Sequence, residues 1–264
     1  IICNRPFVFR IIRHSSFLEN WLSSVKPSSY SRSRRISVPR IILQEGLVDI
    51  MRSRFDEQLS LLNRKMIEMG AECESIIAIS AKSLLEGNVP DAHKAKEQGH
   101  TIDQMEREIE SICLKLLLQQ QPVAKDLRVI SAALKMITDM ERIGDQAEDI
   151  AEIITFLGGR TGEECHDIRV MAEATIKMVT DSIDAYVNQD VELAKAVSEY
   201  DDIVDDAFAR VKQTLIKMIS ENNADGEYAV DLLMIAKYFE RIGDHAVNIA
   251  EWVEFSVSGV HKGD

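Results

Sequence analysis

The chain has 264 residues, 45% of them hydrophobic and only 6% aromatic, with 5 prolines and 12 glycines. That length suits one large domain or two small ones, and the long stretches rich in Ala, Leu, Ile, Met, Glu, Lys and Asp are the composition of an all-helical protein. The net charge of −13 is unevenly placed: residues 1–50 hold eight Lys/Arg against three Asp/Glu, and residues 51–264 hold 23 against 41. A body so acidic repels nucleic acid and anionic membrane surfaces and suits cations or basic protein patches. No apolar run approaches the ~18 residues that a membrane span needs.

Residues 1–50 do not resemble the rest. They are rich in Ser and Arg, poor in acid, and carry no sustained period. Such composition is that of an organellar transit peptide. It is also what translated upstream sequence ahead of a natural start at Met51 would give. Gln44-Glu45-Gly46 can be encoded by a purine-rich stretch of the kind a bacterial ribosome-binding site has, and it lies just before Met51. The second reading is the one we expect, with 1–50 disordered and outside the fold.

From Met51 the period is helical. Phe55, Leu59, Leu62, Met66, Met69, Cys73 and Ile76 step by 4-3-4-3-4-3, the seam of a bundle. Gly87 ends that helix. A second helix starts near Pro90-Asp91 and carries Ala95, Ile102, Met105, Ile109, Cys113 and Leu116 on one face, until Pro122 breaks the chain. A third carries Leu127, Ile130, Leu134, Ile137 and Met140 and runs to Leu157. After Gly158-Gly159 the cycle repeats. The next three helices span about 164–188, 191–219 and 227–255, with Ile168, Met171, Val179, Ile183, then Val197, Val204, Val211, Leu215, then Leu232, Ile235, Phe239, Ile242, Ile249 facing inward. No segment shows a strand pattern. The expected architecture is all-α, two antiparallel three-helix bundles in tandem: 51–157, a linker at 158–163, 164–257 and a tail at 258–264. Cys3, Cys73, Cys113 and Cys165 form no CxxC pair. Cys73 and Cys113 fall on apolar stripes, which reads as reduced core cysteine in a reducing compartment.

A duplicated string carries the chemistry. Residues 141–152 read Glu-Arg-Ile-Gly-Asp-Gln-Ala-Glu-Asp-Ile-Ala-Glu, and residues 240–251 read Glu-Arg-Ile-Gly-Asp-His-Ala-Val-Asn-Ile-Ala-Glu. Nine of the twelve positions are identical, 99 residues apart. Internal repetition of this kind marks a tandem duplication. Each copy sets a Glu and an Asp at i, i+4, ~5–6 Å apart at Cβ: Glu141 with Asp145, and Glu240 with Asp244. Like charges so placed disfavour an isolated helix by roughly 0.2–0.5 kcal/mol. Multivalent cations give such pairs a purpose, because carboxylates are hard oxygen donors. Gly144 and Gly243 permit close approach by a neighbouring helix or a ligand shell. Asp201 and Asp205 form a further pair on the preceding helix of the second half. In the first half Asp103 answers Asp205, but Gly99 answers Asp201, and His100 is the neighbour that can compensate. Asp202, Asp206, Glu148 and Asp149 read as solvated charges, His245 as a surface or interface histidine, and the methionines as core filler. In so acidic a chain, a single ExxxD pair arises readily by chance.

These strings, with Gln121-Pro-Val-Ala-Lys-Asp-Leu-Arg128 and the opening Met51-Arg-Ser-Arg-Phe-Asp-Glu-Gln-Leu59, resemble the signatures of the PhoU family over about 51–257. The resemblance implies two tandem three-helix bundles whose repeated acidic motifs hold multinuclear metal clusters. It implies a cytoplasmic, dimeric, non-enzymatic regulator that links the ATPase of a phosphate ABC transporter to a phosphate sensor histidine kinase. The metal positions it implies are Asp103, Glu141 and Asp145 in the first half and Asp201, Asp205, Glu240 and Asp244 in the second, for Fe, Mn, Zn or Mg. Gly99 departs from the acid usual there, which puts the first site's affinity in question. Two other classes stand beside this one. A di-metal carboxylate protein would place its ligands inside a four-helix core, whereas three-helix bundles with few histidines are expected here. A metal-free interaction module would leave the acids solvated.

Overall fold

Some helices stop where a residue in the left-handed conformation closes the end. The computed structural model describes residues 40–119, 122–162, 166–221 and 226–260. Among them every regular element is an α-helix: α1 (Arg40–Glu86), α2 (Val89–Gln119), α3 (Ala124–Phe156), α4 (His166–Asn188), α5 (Val191–Ser220) and α6 (Gly226–Ser258). The chain divides into two units, 1–46 and 47–264, and the following description is of the second. Residues 1–39, with Cys3, lie outside the described residues, as does Cys165. α1 runs from Arg40 through Met51. The segment Ile41-Ile-Leu-Gln-Glu45 is made of residues a helix accepts, and Gly46 alone does not interrupt it.

The turn after α1 shows why glycine is needed there. Gly87 has φ +63, and the amide of Asn88 donates to the carbonyl of Ser83 at 2.9 Å, the 6→1 closure of a left-handed helix end. Between α4 and α5 the same job falls to Gln189 at φ +53. The amide of Asp190 donates to Ala185 at 2.9 Å. The Asp190 carboxylate then caps α5, accepting from the amides of Glu192 and Leu193 at 3.0 Å each. That cap satisfies two backbone donors that would otherwise lack partners and offsets the strain at Gln189.

The expected seams are the observed core. Phe55, Leu62, Met66, Met69, Cys73 and Ile76 are buried on α1, with Leu59 partly buried against them. Cys73 and Cys113 are free thiols inside the core. Burial pushes the Cys113 thiol up to about 12, so it is inert. Leu127 departs from expectation: it is exposed. The first turn of α3 buries Asp126 instead, whose carboxylate accepts from Arg52 Nη1 at 3.0 Å.

Two helices join the repeats. α3 packs on α2 and more extensively on α6, while α6 also packs on α5 and α4. Ser80 Oγ donates to the carbonyl of Ala147 at 3.0 Å and seats α1 on α3. Tyr186 donates to Asn63 Oδ1 at 2.8 Å and ties α4 to α1. At the α3–α6 junction Asp139 is buried. Its Oδ1 lies 2.9 Å from His245 Nδ1 and accepts from Asn248 Nδ2 at 3.2 Å. The repeat answers in reverse, since Tyr238 occupies the place of Asp139 and lies near Asp149, which occupies the place of Asn248. No described helix is long and apolar enough to cross a membrane.

A Cβ on Gly87 would collide with the carbonyl group of Gly159, whose carbon would lie 3.1 Å away. Gly87→Ala therefore combines a left-handed non-glycine residue with a backbone clash. It is expected to destabilise the protein by about 1–3 kcal/mol in chemical denaturation.

Candidate carboxylate metal sites

The antiparallel hairpin of α2 and α3 brings the first-half acids level. Asp103 and Glu141 each lie 19 residues from Pro122, and Asp145 follows one turn later on the same face as Glu141. Carboxylate oxygens of Asp103, Glu141 and Asp145 all lie within 4.8 Å of one another. Asp103 and Glu141 are partly buried and Asp145 is exposed. Close helix packing makes this possible. A Cβ on Gly144 would stand 2.9 Å from Cδ1 of Ile102, so glycine lets α2 press against α3 beside the acids.

The charges oppose one another. Burial, then Asp145, Glu106 and Asp103, raise the Glu141 carboxyl above its ordinary range. Burial, then Asp103 and Asp149, do the same to Asp145. Arg107 reaches in to 3.6 Å from Asp103, and Arg142 partly offsets the repulsion at Glu141. A multiply charged cation meets what such a face lacks: positive charge and an acceptor of hard oxygen donors.

The second half repeats the scheme with different detail. Burial, followed by Asp205, Asp244 and Glu240, raises Asp201 to about 6. Burial and Glu240 raise Asp244. The four expected acids therefore share one face of α5 and α6. Glu240 takes the ammonium of Lys237. Among the described residues, only the first-half trio gathers three donors within 4.8 Å. Here the helix glycine admits a carboxylate: a Cβ on Gly243 would lie 3.0 Å from Asp201 Oδ1.

Other residues singled out from the sequence fall elsewhere. Asp202 and Asp206 are exposed. His245 is an interface histidine on Asp139. Glu152 pairs with Lys96 at 2.9 Å. The Glu-x-x-His spacing that di-metal carboxylate bundles use occurs in this sequence at Glu97–His100 and Glu163–His166. Glu97 and His100 lie exposed on α2 rather than inside a bundle, and Glu163 lies outside the described residues. Asp139 and Asp126 escaped the sequence reading. Their signal was an acid set within a stretch that is otherwise apolar on its inward face. Glu106, raised by burial, Glu110 and Asp103, escaped it too, although it lies one turn from Asp103.

A model of the PhoU domain matches the chain twice, over residues 66–154 and 168–253. The chain belongs to the PhoU family. It is similar to the phosphate-specific transport system accessory protein PhoU homolog of Clostridium acetobutylicum, 34% identical over 213 residues that cover 79% of this chain and 96% of that one. The Synechocystis homolog is 35% identical over 211 residues, 79% of this chain and 93% of the other. The crystal structure of PhoU from Pseudomonas aeruginosa superposes with a TM-score of 0.70 at 31% identity, covering 78% of this chain and all of that one. That of the Streptococcus pneumoniae regulatory protein, at 22% identity and a TM-score of 0.74, supports the fold alone. The PhoU fold is all-α, and this chain carries two PhoU domains in tandem. The family is one of regulatory accessory proteins, not of enzymes.

Because Asp201 holds its proton up to about pH 6 when folded, against an ordinary value near 4, the folded metal-free protein binds more protons than the unfolded chain between those values. Stability therefore falls as pH rises from about 4 to 6. A shift of that size corresponds to roughly 3 kcal/mol, which solvent screening at this partly exposed group reduces to about 1 kcal/mol. Asp201→Asn is expected to stabilise the metal-free protein by that amount at pH 7 and to flatten its profile over pH 4–6, measured by urea denaturation.

Proposed function

We propose that this protein is a non-enzymatic adaptor that restrains the phosphate-starvation response, carrying the state of a phosphate ABC transporter's ATPase to a phosphate sensor histidine kinase. The observation that carries the reading is the pairing of PhoU membership over both halves with two carboxylate faces on the same helical scaffold. The curated relatives are phosphate-specific transport system accessory proteins, which supports the transporter as partner. In this reading the protein works in the cytoplasm as a homodimer, with 51–157 and 164–257 as its repeats and 158–163 as the link between them.

The family implies carboxylate-bound metal clusters, and the residues here fit them. The donors are all oxygens, three of them already within 4.8 Å, and Gly243 leaves a cradle for the Asp201 carboxylate that a Cβ would fill. Asp103, Glu141 and Asp145 would hold metal in the first half, and Asp201, Asp205, Glu240 and Asp244 in the second. Fe, Mn, Zn or Mg suits such donors. A bound cation supplies the positive charge that relieves mutual repulsion among these acids. The acids themselves bind and order the two faces, and the helices hold them in register for docking against basic partner surfaces.

Elemental analysis of the purified protein is expected to find bound metal. A variant with Glu141, Asp145, Glu240 and Asp244 all changed to Ala is expected to be metal-free while still helical. A native protein that stays metal-free in added Fe, Mn and Zn would remove the metal from this reading. Deletion in the source organism is expected to switch on phosphate-responsive genes when phosphate is abundant, and an unchanged transcriptional response would remove the adaptor role.

A further inference from the structure

The two halves do not obtain their acidic faces in the same way. In the second half Asp201 projects from α5 toward the glycine of α6, so that a Cβ on Gly243 would lie 3.0 Å from its Oδ1. In the first half the residue answering Asp201 is Gly99, which has no side chain to give. The space is not left open. The Glu148 carboxylate, coming from α3, occupies the place where a Cβ on Gly99 would go: its Oε2 sits well inside contact distance, and its Cδ would be 3.4 Å away. The residue that answers Glu148 in the second half is Val247. One repeat thus has an acid on its middle helix and valine on its last. The other has glycine on its middle helix and an acid on its last. In both, a helix glycine makes room for a carboxylate reaching over from the neighbouring helix.

The surroundings of Glu148 place it beside the first-half acids. Burial raises its carboxyl, His100 and Lys96 oppose that shift, and Asp145 and Asp103 add to it. Lys96 is engaged by Glu152 at 2.9 Å, and no hydrogen bond or close ion pair to the Glu148 carboxylate occurs among the described residues. The carboxylate is partly buried rather than fully solvated, which departs from the expectation drawn from sequence.

We propose that Glu148 is a metal-binding residue of the first site, supplying from α3 the carboxylate that Gly99 cannot supply from α2. The first donor set is then Asp103, Glu141, Asp145 and Glu148, and Gly99 is the residue that gives Glu148 its seat. This rests on the metal-binding reading given above. It predicts a first site that is not weakened by its missing acid. It also predicts that Gly99 and Glu148 are interchangeable only as a pair.

The test titrates Mn(II) into the full chain carrying Glu240→Gln and Asp244→Asn, so that the first half is read alone by calorimetry, with circular dichroism to confirm folding. Adding Glu148→Gln is expected to weaken Mn(II) binding at least about tenfold, the lower end of what the loss of even an outer-shell partner costs. Adding Gly99→Asp together with Glu148→Val, which transplants the second-half arrangement, is expected to restore affinity to within a few-fold of the starting protein. Unchanged affinity in Glu148→Gln would overturn the proposal and leave metal binding by the other three residues intact. Failure of the paired exchange to recover affinity would also overturn it, because the carboxylate's position would then not be what matters. If the unaltered protein binds Mn(II) and the Glu240→Gln/Asp244→Asn background does not, the first half is no site and the proposal alone falls. If neither binds Mn(II) or Fe(II), the metal reading falls with it.

Discussion

Close packing of antiparallel helices at glycine is the constraint on which both acidic faces depend. Ile102 lies against Gly144, and Asp201 against Gly243, at distances a Cβ would not allow without movement. Glycine inside a helix costs about 1 kcal/mol against alanine. What the cost secures is a short reach from one helix to the next. Carboxylates on different helices then share one patch of surface instead of standing apart in solvent. Their mutual repulsion and partial burial, seen in the raised Glu141, Asp145, Asp201 and Asp244, follow from the same closeness.

That repulsion is held in place by apolar packing. The faces stand on helices whose inner sides are filled by Met66, Met69, Met136, Met140 and Phe239, all buried. Isolated helices bearing these like-charge pairs would gain nothing from them. The tertiary structure supplies the stabilisation, and the acids remain as a poised surface that favours cations. Protein stability and site chemistry are therefore opposed locally and reconciled by the core as a whole.

The two repeats are joined as well as repeated. α3 and α6, the helices that carry the duplicated strings, are also the helices that pack against each other. Asp139 with His245 and Asn248 on one side, and Tyr238 with Asp149 on the other, mark the junction. Asp139 and Tyr238 lie two residues before the candidate acids Glu141 and Glu240, and Asp149 borders both regions, since it also acts on Asp145. Each of these helices carries both a candidate acidic face and the junction of the halves, and in α3 the two meet at Asp149. The differences between the copies at 146–149 and 245–248 thus belong partly to the junction and partly to the site.

The sequence by itself determined the helices, their seams and the repeat. A 3.6-residue period and capping residues are local properties, and two copies of one string declare themselves without coordinates. Family resemblance and the seven candidate acids were legible for the same reason. Gly87 could be read as a helix end because only a left-handed residue closes that turn easily. Tertiary structure decided the rest. Leu127 faces solvent because Arg52, 74 residues away, makes it possible to bury Asp126. His245 finds Asp139 across 106 residues. Glu148 appeared solvated as a string of letters, since only the crossing of α3 over Gly99 shows where its carboxylate goes. Periodicity tells which side of a helix a residue occupies. Which oxygen meets which glycine depends on the register and separation of two helices, and these are set by the packing of the whole core.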